Sequence, residues 1–308
     1  MNDGRRTGHV PVLVEEVMGL LGCQPGRIYV DATLGGGGHA LEILKRTAPD
    51  GVVIGIDWDE EAISEAKQVL RPYGERVRIF RENFIHLADL LNQIKVDQVD
   101  GILLDLGLSS LQLEKEERGF SFRGEGPLDM RMDQRIEHTA ADWIDHLSRE
   151  ELEDVLSGYG QERWAKRIAT AIVRVREQSP IQTTQALRKL VHRAVGGRCR
   201  SWRIDPATRV FQAFRIKVND ELENLRKILE TGWRLLRKGG RICVISFHSL
   251  EDRIVKESFR RLEKGEMDAS IPGRVIRILT PKPVRPSADE RRRNPRSRSA
   301  RLRCAERI

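Results

Sequence analysis

The sequence predicts an α/β fold, a Rossmann-like parallel sheet interrupted by an inserted helical segment. Three observations predict it. First, an apolar run at 28–32 carries Asp31 and leads into four glycines, Gly35 to Gly38, and then a helix-compatible stretch; a second apolar run ends at Asp57. This is the pattern of a first βαβ unit, in which glycines turn the backbone tightly and let it approach a ligand. Second, the strand candidates are short and several lack alternation, as expected of strands covered on both faces by helices. Third, the strand–helix alternation stops near Gly107 and a further buried strand appears only after Val218.

Taken in order, the strands are expected at 28–32, 52–56, 77–80, 101–104 and 241–247. Between them, 59–70 carries Ala62, Ile63, Ala66, Val69 and Leu70 at helical spacing. The region after Gly107 opens with a polar stretch, 113–132, rich in Gly, Arg and Glu. Helical patterns follow at 140–147, from a cap at Ser148 to Ser157, at 162–176 and at 184–194. A helix is expected at 220–236, stopped by Lys238-Gly-Gly240. Ser249-Leu-Glu-Asp252 reads as the cap of a helix running through Leu262. The strand at 241–247 looks like part of the first sheet, so the helical region is expected to be an insertion. The expected division is 1–110 and 218–308 for the sheet domain, with 111–217 inserted.

The 308 residues carry a net charge of +8, and the excess is uneven. From Arg285 onward there are nine arginines against three acids. Such a cluster suits an anionic partner, a nucleic acid first among them; a solvated tail is the alternative. The four cysteines, Cys23, Cys199, Cys243 and Cys304, form no CxxC pair and no zinc spacing. Cys243 reads as a buried free thiol. No apolar run nears the ~20 residues that span a bilayer, and no signal-peptide core is present. A cytoplasmic, reduced chain without a metal is expected.

The glycine cluster implies an adenosine-containing cofactor. Asp31 bears on which one. A dinucleotide places its pyrophosphate at such a loop, where an acid would repel it. S-adenosylmethionine presents an ammonium and a sulfonium, which an acid attracts. The Gly-x-Gly-x-x-Gly fingerprint is absent, and Asp105 closes a fourth strand, at the edge where ligands collect in open α/β sheets. These details favour a methyl donor over a nicotinamide. Asp57 lies 19 residues after Gly38, a spacing that suits ribose hydroxyls; helix capping is the plain alternative. His39 is read as a ligand or as an ordinary helix-start residue, and Phe84 as an adenine wall or as core. Trp143 reads as core or, less simply, as a platform for a flipped base. Trp202, between arginines at 198–203, suits base stacking or a plain basic loop. His248, at the end of a late strand, points toward the active edge or makes a structural hydrogen bond.

Asp31-Ala-Thr-Leu-Gly-Gly-Gly-Gly-His39 resembles the cofactor loop of the MraW family of small-subunit ribosomal RNA methyltransferases. The likeness continues through Gly101-Ile-Leu-Leu-Asp-Leu-Gly-Leu-Ser-Ser110, Arg118-Gly-Phe-Ser-Phe122, Gly126-Pro-Leu-Asp-Met-Arg-Met132 and Tyr159-Gly-Gln-Glu-Arg163. It extends through Pro206-Ala-Thr-Arg209, Ser246-Phe-His-Ser-Leu-Glu-Asp-Arg253 and Asn294-Pro-Arg-Ser-Arg-Ser-Ala300. It thus covers essentially the whole chain. Ala40 stands where the family pattern has serine.

The resemblance implies a class I S-adenosylmethionine-dependent methyltransferase sheet with a helical insertion for substrate recognition. It implies methylation of the exocyclic N(4) of a cytidine in 16S rRNA, near the decoding centre of the small ribosomal subunit. Carried over by position, cofactor contacts fall on Gly37, Gly38, His39, Asp57, Phe84, Asp105 and Gln112. Many amino-methyltransferases carry Asp/Asn-Pro-Pro-aromatic after the fourth strand. Here that stretch is Asp105-Leu-Gly-Leu-Ser109, without prolines or aromatic, so Asp105 is the candidate catalytic residue by its place alone. A small-molecule or DNA methyltransferase, and a non-catalytic RNA-binding protein, are the other classes considered. The arginine-rich end and the 198–203 loop are expected to contact rRNA phosphates. Binding should then weaken steeply with added salt; a salt-independent affinity for rRNA would rule this out.

Overall fold

The computed structural model describes residues 11–196, 205–266 and 273–308. Cys199 and the 198–203 stretch with Trp202 lie outside them. The chain divides into two compact units, Met1–Ser109 with Leu222–Ile308, and Ser110–Glu221. The first unit begins with α1 (Val14–Leu21), β1 (Ile28–Asp31), α2 (Gly38–Arg46), β2 (Val52–Asp57) and α3 (Glu60–Leu70). β3 (Val77–Arg81), α4 (Leu87–Gln93) and β4 (Val99–Asp105) follow. The second unit holds α5 (Ser110–Glu114), α6 (Ala140–His146), α7 (Arg149–Gly158), α8 (Ala165–Arg176), α9 (Thr184–Val195) and α10 (Ala207–Asn219). The chain returns to the first unit through α11 (Glu221–Thr231), β5 (Leu236–Ser246), α12 (Ser249–Lys264), β6 (Ile276–Ile278), α13 (Ala288–Arg293) and β7 (Arg301–Arg307).

The seven strands form one sheet in the order β3-β2-β1-β4-β5-β7-β6. β1 to β5 run parallel, and β7 enters antiparallel to both β5 and β6. The sheet's inner strands are apolar on both faces because helices cover both: Val30, Val53, Ile56, Ile102 and Leu104 are fully buried. One core cluster joins Val17, Met18 and Leu21 of α1 and Ile43 and Leu44 of α2 to Tyr29, Leu103, Ile245 and Leu302 of the sheet. No helix among the described residues is long and apolar enough to cross a membrane.

Three sequence expectations are corrected. The helix expected at 220–236 ends at Thr231. A 3-10 turn at Gly232–Leu235 follows, and β5 starts at Leu236. Trp233 and Leu236 are buried and so extend the apolar period, but by packing from a turn and a strand. Lys238-Gly-Gly240 is not a helix stop; Gly239 has φ of +80° within a bulge that lets β5 rejoin β4. The cap of α12 is His248, one residue before the expected Ser249. Its Nδ1 accepts from the Glu251 N–H, while the Glu251 carboxylate accepts from the N–H groups of Phe247 and His248. Nε2 lies 3.0 Å from Glu251 Oε1, so the structure favours the structural reading of His248.

The third correction concerns the basic end. Residues 301–307 are an interior strand, with Leu302, Cys304 and Ala305 buried. Arg303 is only 6% exposed and donates to Asp252 at 2.7 Å, with Arg301 at 3.1 Å on the same carboxylate. Arg307 donates to the carbonyls of Arg234 and Leu236. These three arginines are therefore committed inside the fold, whereas those at 285, 291, 293 and 298 are exposed. Cys243 is fully buried, as expected, and sits opposite Cys304 in the β5–β7 register.

In the second unit, the polar stretch read from sequence is pinned from within. Arg118 is buried and donates to the carbonyls of Arg131 and Met132. Asn219, also buried, accepts from the Met132 N–H and donates to the Met130 carbonyl. Polar groups so placed must be paired, since an unmade hydrogen bond there is costly. Ser148 and Glu151 form the capping box of α7. Trp143 in α6 is half-buried, with Lys217 Nζ 4.1 Å from its ring centroid and the His138 ring edge-on at 5.4 Å.

Asp252→Asn should destabilise the protein by about 3 kcal/mol, because it strands the buried Arg303 without its carboxylate. Burial opposes charge on Asp252, but its bonds to Arg303 and Arg301 outweigh that and hold its carboxyl below the usual range. The wild-type advantage is thus full above the ordinary carboxylate range and is lost as pH falls through the lower folded-state value. Urea unfolding at neutral pH measures it; a loss below about 0.5 kcal/mol would mark the pair as solvent-screened.

Candidate active site

Three aspartates end three adjacent strands on one edge of the sheet: Asp31 on β1, Asp57 on β2 and Asp105 on β4. β1 and β4 are neighbours at the point where the strand order reverses, and that crevice is where open α/β sheets hold ligands.

Asp31 is 1% exposed. Its Oδ1 accepts a long bond from the Thr33 N–H at 3.4 Å, and its Oδ2 has no partner. Burial pushes its carboxyl up to about 7; His39 opposes the rise, and Asp105 adds to it. On β2, Asp57 Oδ2 accepts from the Gly35 N–H at 2.8 Å and Oδ1 from the Asp59 N–H at 2.9 Å. Burial raises this carboxyl to about 6 against those two bonds. The Asp105 N–H donates to Thr33 Oγ1 at 2.6 Å, which ties the end of β4 to the loop after β1. Asp105 Oδ1 is buried and has no partner.

The glycine cluster shapes the floor of this edge. Gly37 has φ of +83° at the start of α2, a conformation that a side chain disfavours, and a Cβ there would sit 3.2 Å from Leu70. A Cβ on Gly38 would press on Pro11. His39 follows in the first turn of α2 and is 5% exposed. Its Nε2 lies 3.4 Å from Asp105 Oδ2, within ion-pair range but outside hydrogen-bond geometry, and neither ring nitrogen has a hydrogen-bond partner. Burial works against charge on the ring, but Asp105 first, then Asp31 and Glu42, outweigh it and hold the imidazole above its ordinary value.

Phe84 opens the short turn after β3 and is half-buried; its ring centroid is 6.5 Å from that of Trp58. The first unit therefore carries Gly37, Gly38, His39, Asp57, Phe84 and Asp105, while Gln112 lies buried in α5 of the second unit. Trp58 and Thr33 were missed by sequence reasoning. Thr33 sits inside the quoted Asp-x-Thr-x-Gly run and Trp58 directly follows Asp57, so adjacency to a singled-out acid was the available signal. Ala40, the departure from the family pattern, is buried in the first turn of α2.

Buried carboxylate oxygens without donors call for a cationic or hydrogen-rich ligand. Asp31 Oδ2 suits an ammonium, the acid-lined edge as a whole suits a sulfonium, and neither suits a pyrophosphate. Asp57, with two aromatic rings nearby, suits a ribose and its base. The residues present thus fit S-adenosylmethionine.

The raised carboxyl of Asp31 is a stability cost in the empty protein. Its charged form is disfavoured on folding, so the cost is absent below about pH 4, grows between about 4 and 7, and is complete above. Asp31→Asn should therefore stabilise the empty protein by on the order of 4 kcal/mol at pH 8 and hardly at all at pH 4. Denaturant unfolding at the two pH values tests this; equal effects at both would remove Asp31 as the source.

Comparison with known proteins agrees with this geometry. The model of the MraW methylase family matches residues 6–308. A ribosomal RNA small subunit methyltransferase H from Geotalea uraniireducens is 52% identical over 307 residues, covering 97% of this chain and 98% of its own. The proteins of that name from Geotalea daltonii and Syntrophus aciditrophicus are 51% and 47% identical, covering 97% and 100% of this chain and 98% and 100% of their own. A match that runs the length of the chain, on a sheet whose acid-lined edge fits a sulfonium donor, establishes that the protein belongs to the MraW methylase family of class I, S-adenosylmethionine-dependent methyltransferases.

Proposed function

We propose that the protein methylates ribosomal RNA of the small subunit, at the exocyclic N(4) of a cytidine near the decoding centre, acting in the cytoplasm. The observation that carries the chemistry is Asp105, whose Oδ1 is buried and unpartnered at the carboxyl end of β4. The names of the relatives, all rRNA small subunit methyltransferases, support the substrate class. The run of motifs that resembles the MraW family supports the cytidine and its N(4).

In this reading the bound donor supplies a methyl group activated by its positive sulfur. Asp31 holds the ammonium, Asp57 the ribose hydroxyls, Phe84 the adenine, and the backbone at Gly37, Gly38 and His39 closes over the rest. The family resemblance adds Gln112 as a further donor contact. Cytosine's amine is a weak nucleophile because its lone pair is delocalised into the ring. Asp105 Oδ1 accepts a hydrogen from that amine, which favours the pyramidal, nucleophilic nitrogen and then receives the proton lost on alkylation. Thr33 Oγ1 fixes the Asp105 backbone for this task, and alignment of nitrogen and methyl supplies much of the rate.

Incubating the protein with unmodified small subunits and mapping the methylated nucleotide tests the substrate. Methyl transfer to one cytidine N(4) is expected, and preferential transfer to DNA or free nucleosides would overturn the reading. Asp105→Asn should lower turnover by about 10²-fold or more while the donor still binds. Normal turnover in that variant would reduce Asp105 to a binding residue.

A further inference from the structure

His39 presents more than a contact to a cofactor. It is buried on the first turn of α2, its Nε2 is 3.4 Å from Asp105 Oδ2, and both ring nitrogens lack hydrogen-bond partners. The charged groups that face it are Asp105 from β4, Asp31 from β1 and Glu42 from its own helix; Asp57 from β2 faces Asp31 in turn. The three carboxyl groups thus favour charge on this imidazole in the empty edge, against its burial. The proposed ligand is a cation that would enter the same edge, and two cations cannot be held there as easily as one.

We propose that His39 is a positioning residue acting through Asp105, and that its imidazole gives up a proton when a sulfonium is bound and regains one when that charge is lost. The proposal rests on the reading of this edge as the donor site. It explains how a buried carboxylate can receive a proton in the right order. While the sulfonium is present the imidazole is a proton short, and Asp105 meets the amine with an open acceptor oxygen. In the transfer, the amine nitrogen forms its bond to the methyl carbon, and the carbon–sulfur bond breaks with its electron pair left on sulfur. One positive charge disappears from sulfur and one appears on nitrogen. The nitrogen loses a proton to Asp105, which passes it to His39 Nε2, now without a neighbouring cation, where it stays until product leaves. His39 does not touch the reacting atoms in this scheme; it receives, through Asp105, the proton that the amine gives up.

The experiment compares S-adenosylmethionine with S-adenosylhomocysteine, which share the ammonium and differ in the charge on sulfur. Calorimetric titration of the full chain near pH 7, in buffers of different ionisation enthalpy, gives the protons released by each. Methionine-form binding is expected to release more protons than homocysteine-form binding. His39→Asn should abolish that excess. Equal release by the two ligands in the wild-type protein overturns the proposal without any variant having to fold. So does an excess that persists in His39→Asn. Failure of both ligands to bind overturns instead the donor-site reading beneath it.

Discussion

Desolvated carboxylates set the terms for this structure. Asp31, Asp57 and Asp105 are brought together because three parallel strands end at one edge, and burial there disfavours charge on Asp31 and Asp57. His39 offsets part of that repulsion, the backbone N–H groups of Thr33, Gly35 and Asp59 offset more, and two oxygens are left with nothing. The glycine loop, the tight start of α2 and the register of β1 on β4 all serve to hold this arrangement. An edge built so is poorly satisfied alone and well satisfied by a cation, which is the usual bargain between stability and function at a ligand site.

The opposite flank of the sheet solves a different electrostatic problem. β7 is read along its sequence as Arg-Leu-Arg-Cys-Ala-Glu-Arg, hardly an interior strand, yet it lies between β5 and β6. It can do so because Asp252 of α12 accepts from Arg301 and Arg303 together, and because Arg307 finds backbone carbonyls. The arginines left exposed, on and around α13, are separate from this set and are the ones available to a polyanion.

Much of the fold was legible because apolar runs bounded by acids and glycines have few alternatives. β1 to β5, α3 and the capping box at Ser148 follow from local pattern alone. What was not legible depends on distant partners. β7 needs Asp252, some fifty residues away, to turn charge into structure. The end of α11 was misread because Trp233 and Leu236 continue a helical period while packing from a turn and a strand. In the site, Asp31, Asp57 and Asp105 were visible as strand-end acids. The approach of His39 to Asp105 was not, since only the β1–β4 pairing brings them within reach.

The insertion has a kinetic consequence. β4 and β5 are neighbours in the sheet, yet Gly101 pairs with Arg241, 140 positions further along the chain. Pairing over such a separation is slow to form, and the entropy of closing the intervening loop must be met before any contact rewards it. Every acid of the candidate site, together with His39, lies between residues 31 and 105, and the pairings of β1 with β2 and with β4 span 24 and 72 positions. The half of the sheet that carries the chemistry can therefore assemble before β5 joins it.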